Sequence, residues 1–286
     1  MTRRLIALLC TVSAVACQDQ QDPQQLLRET LASLAKEKVV VDAKRGTVTV
    51  PAVVNPPQDP VEYLLIHRRG KKHEAVFWSN SKPSVLNAGL LMVGLQRGKN
   101  ATYKEKVPAP TLEEVQNGAD PLVVTAPQGQ PFWMTVRWKD EDGEAVERCV
   151  EDMLLDLTTQ EPMGTCQWVY LGGRMAQLYK GDPEVFIADF EGNLVSVCYL
   201  TPDNHLATMV HERARDDQNW WTTKALPEPG TEVEFVFHSK KPKLHVERDR
   251  RLAAKKAAAA DQEGAPAAGG GEERARPGAG AGSGGR

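Results

Sequence analysis

The sequence predicts an α+β domain, β-rich and mostly antiparallel, with one main helix at about residues 83–95, a short N-terminal helix and a disordered C-terminal tail. Three observations carry this. Apolar residues recur with period two through the middle of the chain, as in Thr47 to Val50 and Phe132 to Trp138, which places alternate side chains on one face of a strand. Only Ser84 to Leu95, opened by Pro83 and stopped by Gly94 and Gly98, is strongly helical within that region. Turn clusters such as Asp140-Glu141-Asp142-Gly143 divide the apolar runs at hairpin spacing.

At the start, Arg3 and Arg4 precede an apolar run from Leu5 to Val15. That run is shorter than the roughly 20 residues a helix needs to cross a bilayer, so residues 1–16 are expected to be a signal peptide. Ala14-Val15-Ala16-Cys17 resembles a bacterial lipobox, which implies cleavage before Cys17 and lipidation of that cysteine. The acyl chains would hold the chain to a membrane at about 0.8 kcal/mol per buried methylene. Gln18 favours outward sorting, giving an envelope protein that faces the periplasm where the source has an outer membrane.

Residues 17–38 form a tether ending in a short amphipathic helix, Gln24 to Lys38. Asp22 is the expected N-cap, Pro23 sits at N1, Gln25 is the expected capping-box partner, and Leu27, Leu31 and Leu34 make a stripe. The globular domain follows over 39–245. Val39 to Val41 and Thr47 to Val50 make one hairpin about Lys44-Arg45-Gly46, and Glu62 to His67 with Glu74 to Ser79 a second about Arg68 to Lys72. Thr102 to Gln130, rich in proline, reads as a long loop with at most one helical turn, of the kind that covers a site. Phe132 to Trp138 pairs with Ala145 to Cys149, and further strands are expected at Cys166 to Leu171, Val185 to Ala188, Leu194 to Tyr199 and Val233 to Phe237. Residues 246–286 are an Ala/Gly-rich tail, a frayed helix at Arg248 to Gln262 and then disorder.

A net charge of −3 over 286 residues supplies no basic field for nucleic acid, so no nucleic acid is expected as partner. With 26% charged and 41% hydrophobic residues, the composition is that of a soluble domain. Of five cysteines, Cys10 leaves with the signal peptide and Cys17 takes lipid; Cys149, Cys166 and Cys198 cannot all pair within one chain. Three cysteines cannot hold a four-cysteine iron–sulfur cluster, and no cofactor is expected.

An ordered set of motifs spans residues 38 to 242. Val39-Val40-Val41-Asp42 is followed by Gly70-Lys71-Lys72-His73-Glu74, the helix Ala88 to Leu95, Val136-Arg137-Trp138-Lys139-Asp140, Trp168 to Gly173, Ala188-Asp189 with Gly192, and Pro229-Gly230-Thr231-Glu232-Val233. Together they resemble the YdjY-like domain of exported bacterial proteins. The family pattern often has a serine after the His-Glu pair and a histidine in the helix; this sequence has Ala75 and Asn87, which weakens any chemistry those positions carry elsewhere.

The candidate ligand-binding residues are His73, Glu74, Asn87, Asp189, Trp220 and Trp221, with the 102–130 loop as a cover for the first four. His67 and His73 are the candidate metal ligands, although Glu74, next in a strand, is expected to point to the opposite face from His73. Trp220 and Trp221 cannot both face inward if extended, so one indole is expected at the surface, able to stack on sugars. The basic turn at residues 68–72 suits either an anion or solvent, and Asp140 to Glu144 reads as a turn rather than a calcium loop. The expected function is therefore a lipid-anchored envelope module, non-catalytic, binding a cell-wall polymer or an envelope protein; the alternative is a metal-dependent or redox accessory enzyme.

Overall fold

A computed structural model of the chain describes residues 22–263. Residues 1–21, which include the expected signal peptide and Cys17, and the last 23 positions of the tail, 264–286, lie outside the described residues.

Eight strands close into a barrel: β1 (Thr47–Val54), β2 (Tyr63–His67), β3 (Ala75–Ser79), β4 (Pro131–Lys139), β5 (Gln167–Tyr170), β6 (Asn193–Ser196), β7 (Ala207–Val210) and β8 (Glu232–His238). The order around the wall is β1, β8, β4, β5, β7, β6, β2, β3, and pairing of Val53 with Trp78 and Val54 with Phe77 joins β3 back to β1. Closure removes the unpaired edges that an open sheet would leave. The strand Val40–Asp42 pairs with the start of β1, and Ala145–Cys149 pairs with β4 in the expected hairpin. That hairpin's turn is held by Asp140, whose Oδ1 accepts from the amides of Asp142 and Glu144 at 3.1 and 2.9 Å, with Gly143 at φ 81°.

The β-rich α+β expectation holds, but the sheet is mixed rather than a set of hairpins. β2 and β3 run parallel, as do β6 and β7. The segment read as a hairpin turn, Arg68 to Lys72, is instead a crossover that returns the chain to the start of the barrel wall. It passes so close to the β6 entry that a Cβ on Gly70 would lie 2.8 Å from the Gly192 carbonyl. The sequence reading also lacked β7, a four-residue strand in which Ala207 to Met209, the polar Thr208 included, are all buried.

Inward residues of β1, β8 and β4 fill the barrel. Phe235 meets Phe77 edge to face at 5.7 Å and Phe237 lies over Phe132 at 6.2 Å, with Val48, Val50 and Met134 around them. Five helices flank it among the described residues: α1 (Pro23–Lys36), α2 (Pro83–Met92), α3 (Leu112–Gln116), α4 (Ile187–Glu191) and α5 (Lys243–Glu263). α1 is capped by Asp22 as expected, although Gln25 bonds forward to Glu29 and no capping box forms. α2 sends Leu86 and Leu90 into the core, each burial contributing about 1.5–3 kcal/mol, and Gly89 lets it approach Val48 closely.

The 102–130 segment is more ordered than a loop. Thr102–Glu105 pairs with Leu122–Thr125, and Thr111 with Glu114 makes a capping box that starts α3. Its ties run through Tyr103 to the Tyr199 carbonyl and Asp120 to Arg215, and Asn100, just ahead of it, bonds to the Leu200 carbonyl. α5 begins at Lys243, so the helix runs from the domain's end across position 246 without a break.

Candidate functional site

Four consecutive barrel strands, β3, β1, β8 and β4, form the floor of an open groove of about 860 Å³ on the outer surface. The chain from Lys36 to Lys38, at the end of α1, makes one wall, and the Ala145–Glu147 strand makes another. Period-two alternation explains the floor: Val48, Val50, Ala52 and Val54 of β1 face the core, so Pro51 and Val53 face out. Trp78 of β3 and Trp138 of β4 line the groove, both half-buried; Trp138 is in step with the inward Phe132, Met134 and Val136 and packs on the core as well, so it offers the groove only part of its ring. Lys72 lies over the Trp78 ring at 4.3 Å. The charged lining is balanced, with Lys36, Lys38, Arg137 and Lys139 set against Glu37, Glu147, Glu232 and Glu234. Arg137 pairs with Glu147 at 3.1 Å, and Thr135 donates to the same carboxylate at 2.7 Å.

The residues singled out from the sequence do not meet in this groove or in another. His73 and Glu74 lie in a 3-10 turn, Lys72–Glu74, not in a strand, so they do not diverge: His73 Nε2 is 3.2 Å from Glu74 Oε1. Glu74 also takes Lys71 at 3.1 Å, and Lys71 reaches Glu62 at 3.4 Å. Burial, with Glu74 beside it, pushes the Glu62 carboxyl up; burial acts on Glu74 too, but hydrogen bonds from Lys71 and Glu62 outweigh it and hold Glu74 down. His67 is at the other end of this strand pair, opposite Ser79, while Tyr63 is opposite Ala75. The two histidines proposed as metal ligands are therefore separated by the length of the parallel pair.

Asp189 and Asn87 have structural partners. No side chain caps α2 locally, and Asp189, on α4, does so from a distance: its Oδ1 accepts from the Ser84 amide at 2.7 Å and its Oδ2 from the Ser84 hydroxyl at 2.6 Å. Asn87 Oδ1 accepts from the Tyr170 hydroxyl at 2.5 Å. Among the described residues, none of the hydrogen bonds of the 102–130 segment joins it to His73 or Asp189. Trp220 is fully buried, edge to face with His211 at 5.2 Å, and Trp221 is half-buried; neither is the exposed indole expected. They belong to a small three-stranded sheet with Leu154–Asp156 and Glu161–Pro162.

A second constellation lies under α5, and the sequence reading missed it. Glu151, 3% exposed, accepts from Trp168 Nε1 at 2.8 Å through Oε1 and faces His245 Nε2 at 3.2 Å through Oε2. Burial works against its ionised form, but the hydrogen bond and charge of His245 and the charge of Arg248 hold its carboxyl low. Arg248 donates to Asp152 at 2.7 Å and to the carbonyls of Met163 and Gly164 at 2.5 and 3.2 Å. Cys149, Glu151 and His245 present ligand atoms all within 4.8 Å of one another, the grouping of this kind found among the described residues. Cys166 Sγ is 4.0 Å from Glu151 Oε1. Cys149, Cys166 and Cys198 are all free thiols. The legible signal was Cys149-Val150-Glu151; its partner His245 is 94 residues further on, within what read as the end of the domain.

Compared with known proteins, residues 39–238 match the family model described as the YdjY domain. No curated protein and no solved structure matches the chain. No helix among the described residues is long and apolar enough to cross a membrane.

Proposed function

Because the chain belongs to the YdjY domain family, we propose that it is a non-catalytic binding module of the bacterial envelope, tethered by lipid at Cys17, and that its ligand is a cell-wall glycopeptide polymer. The groove carrying Trp78 and Trp138 supports this reading most. Indole faces stack on the apolar faces of sugar rings, and four basic and four acidic side chains around them suit a ligand with both amines and carboxylates. A polyanion would call for an excess of cations. The redox-enzyme reading is less favoured. Burial first, then neighbouring carboxylates, push the Cys149 thiol up to about 12 and the Cys166 and Cys198 thiols well above the usual range, opposite to what an attacking thiolate needs.

Sedimentation with purified cell-wall sacculi tests the site. Trp138→Ala should weaken binding about 30-fold, the equivalent of about 2 kcal/mol for loss of an aromatic anchor. Trp221→Ala, outside the groove, should leave binding within about twofold if the groove is the site. Equal binding by the Trp138→Ala and parent chains, both folded by circular dichroism, would overturn the assignment. The tether has its own test. Cys17→Ser should move the chain from the membrane to the soluble fraction or leave its leader uncleaved, and the parent should carry acyl mass on Cys17. A processed, membrane-retained parent without acyl mass contradicts the lipid anchor.

A further inference from the structure

We propose that Cys149, Glu151 and His245 bind one divalent transition metal of the zinc type, and that the metal fastens α5 to the barrel. The donor set is sulfur, oxygen and nitrogen. Zinc accepts all three, whereas calcium and magnesium take oxygen ligands. The spacing fits as well: bonds of about 2.0–2.1 Å at a tetrahedral angle put nitrogen and oxygen roughly 3.4 Å apart, and His245 Nε2 lies 3.2 Å from Glu151 Oε2. All three donors come within 4.8 Å of one another, and an ion between them would draw them closer. Cys166, 4.0 Å from the same carboxylate, stands beside the fourth position.

His245 is 3% exposed and its Nδ1 has no hydrogen-bond partner, so the contact with Glu151 is the side-chain hydrogen bond that must yield for Nε2 to ligate an ion. Charge is balanced too. A thiolate and a carboxylate offset a dication, and the Arg248–Asp152 pair beside them already offset each other. Binding exchanges a proton for the cation at Cys149: the S–H bond breaks, the S–metal bond forms, and one proton leaves for solvent. Two ligands come from the end of the Ala145–Cys149 strand, which pairs with β4, and the turn after it, Val150 to Met153, and the third from the first turn of α5. Local lifting of α5 therefore opens the site to the ion, and binding closes it.

The test uses the mature chain without a histidine tag, stripped by chelator and titrated with Co²⁺. We expect one equivalent bound, with a thiolate-to-cobalt charge-transfer band, release of about one proton and displacement by Zn²⁺. Cys149→Ser and His245→Gln should each abolish the band, Cys198→Ser should retain it, and Zn²⁺ should slow proteolysis within residues 243–263 at least tenfold in the parent. X-ray absorption of the zinc-loaded parent keeps the result independent of any variant's folding; sulfur and imidazole ligation is expected. A folded parent that gives no band, a zinc shell without sulfur, or a band that survives in Cys149→Ser overturns the proposal, leaving the cluster a hydrogen-bonded latch.

Discussion

Replacing Glu151 by alanine is expected to destabilise the metal-free protein by about 3–5 kcal/mol, the range for removing one member of a buried charged pair. The cost has identifiable parts. The Trp168 indole N–H, bonded at 2.8 Å, loses its acceptor inside the protein, and His245 and Arg248 lose the carboxylate beside them. Since both basic residues belong to α5, the helix should loosen along with the loss of global stability. Glu151→Gln should cost less, because an amide oxygen still accepts from Trp168. Urea unfolding, together with the rate of proteolysis within α5, measures both effects. A loss below about 1 kcal/mol for the alanine variant would show that the cluster contributes little.

Acid should weaken the fold well above the range in which carboxylates titrate. Burial pushes both His205 and His238 down to about 4 from an ordinary 6.5. His205 is nearly enclosed, with only Asp203 favouring its charged form; His238 faces Glu147, which favours the charge, and Arg137 and His245, which oppose it. Its Nε2 is 2.9 Å from the Thr135 hydroxyl. The sign follows from proton counts: between pH 6.5 and 4 the unfolded chain binds protons that the folded chain refuses, so stability is full above 6.5 and falls as pH drops toward 4. By pH 5 each histidine should have cost about 2 kcal/mol. The Glu151 contribution is lost in a lower window, as pH falls below 4.5 through its depressed folded value. Urea midpoints at pH 7.5, 6 and 5 should therefore decline steadily, and the decline should flatten in the chain carrying both His205→Gln and His238→Gln. A midpoint unchanged from 7.5 to 5 would contradict the burial of these rings as neutral groups.

Much of the fold is written locally. Asp22-Pro23 starts α1, Pro83 starts α2, Asp140 with Gly143 turns the β4 hairpin, and the alternation in Thr47 to Val50 and Val233 to Phe237 marks strands that do lie side by side. Each of these signals acts over a few residues, through φ restriction, capping or side-chain period, so no partner need be known. The motif set from Val39 to Val233 likewise identified the family. Chain direction was another matter. Arg68 to Lys72 has the composition of a turn whether β2 and β3 lie antiparallel or parallel; in the parallel arrangement found, Gly70 packs against Gly192.

The candidate sites divide along the same line. Asp189 looked like a free carboxylate because its partner, the Ser84 amide, is 105 residues away. Trp78 and Trp138 could not be read as one groove before β1 and β8 were placed between their strands. Cys149, Glu151 and His245 come together only when α5 docks. The sequence by itself determined the capped helix starts, the alternating strands, the family and the lipobox-like start, since those depend on near neighbours along the chain. Barrel closure, the groove and the buried cluster were decided by tertiary structure, because contacts between residues tens of positions apart depend on which strands pair and in which direction.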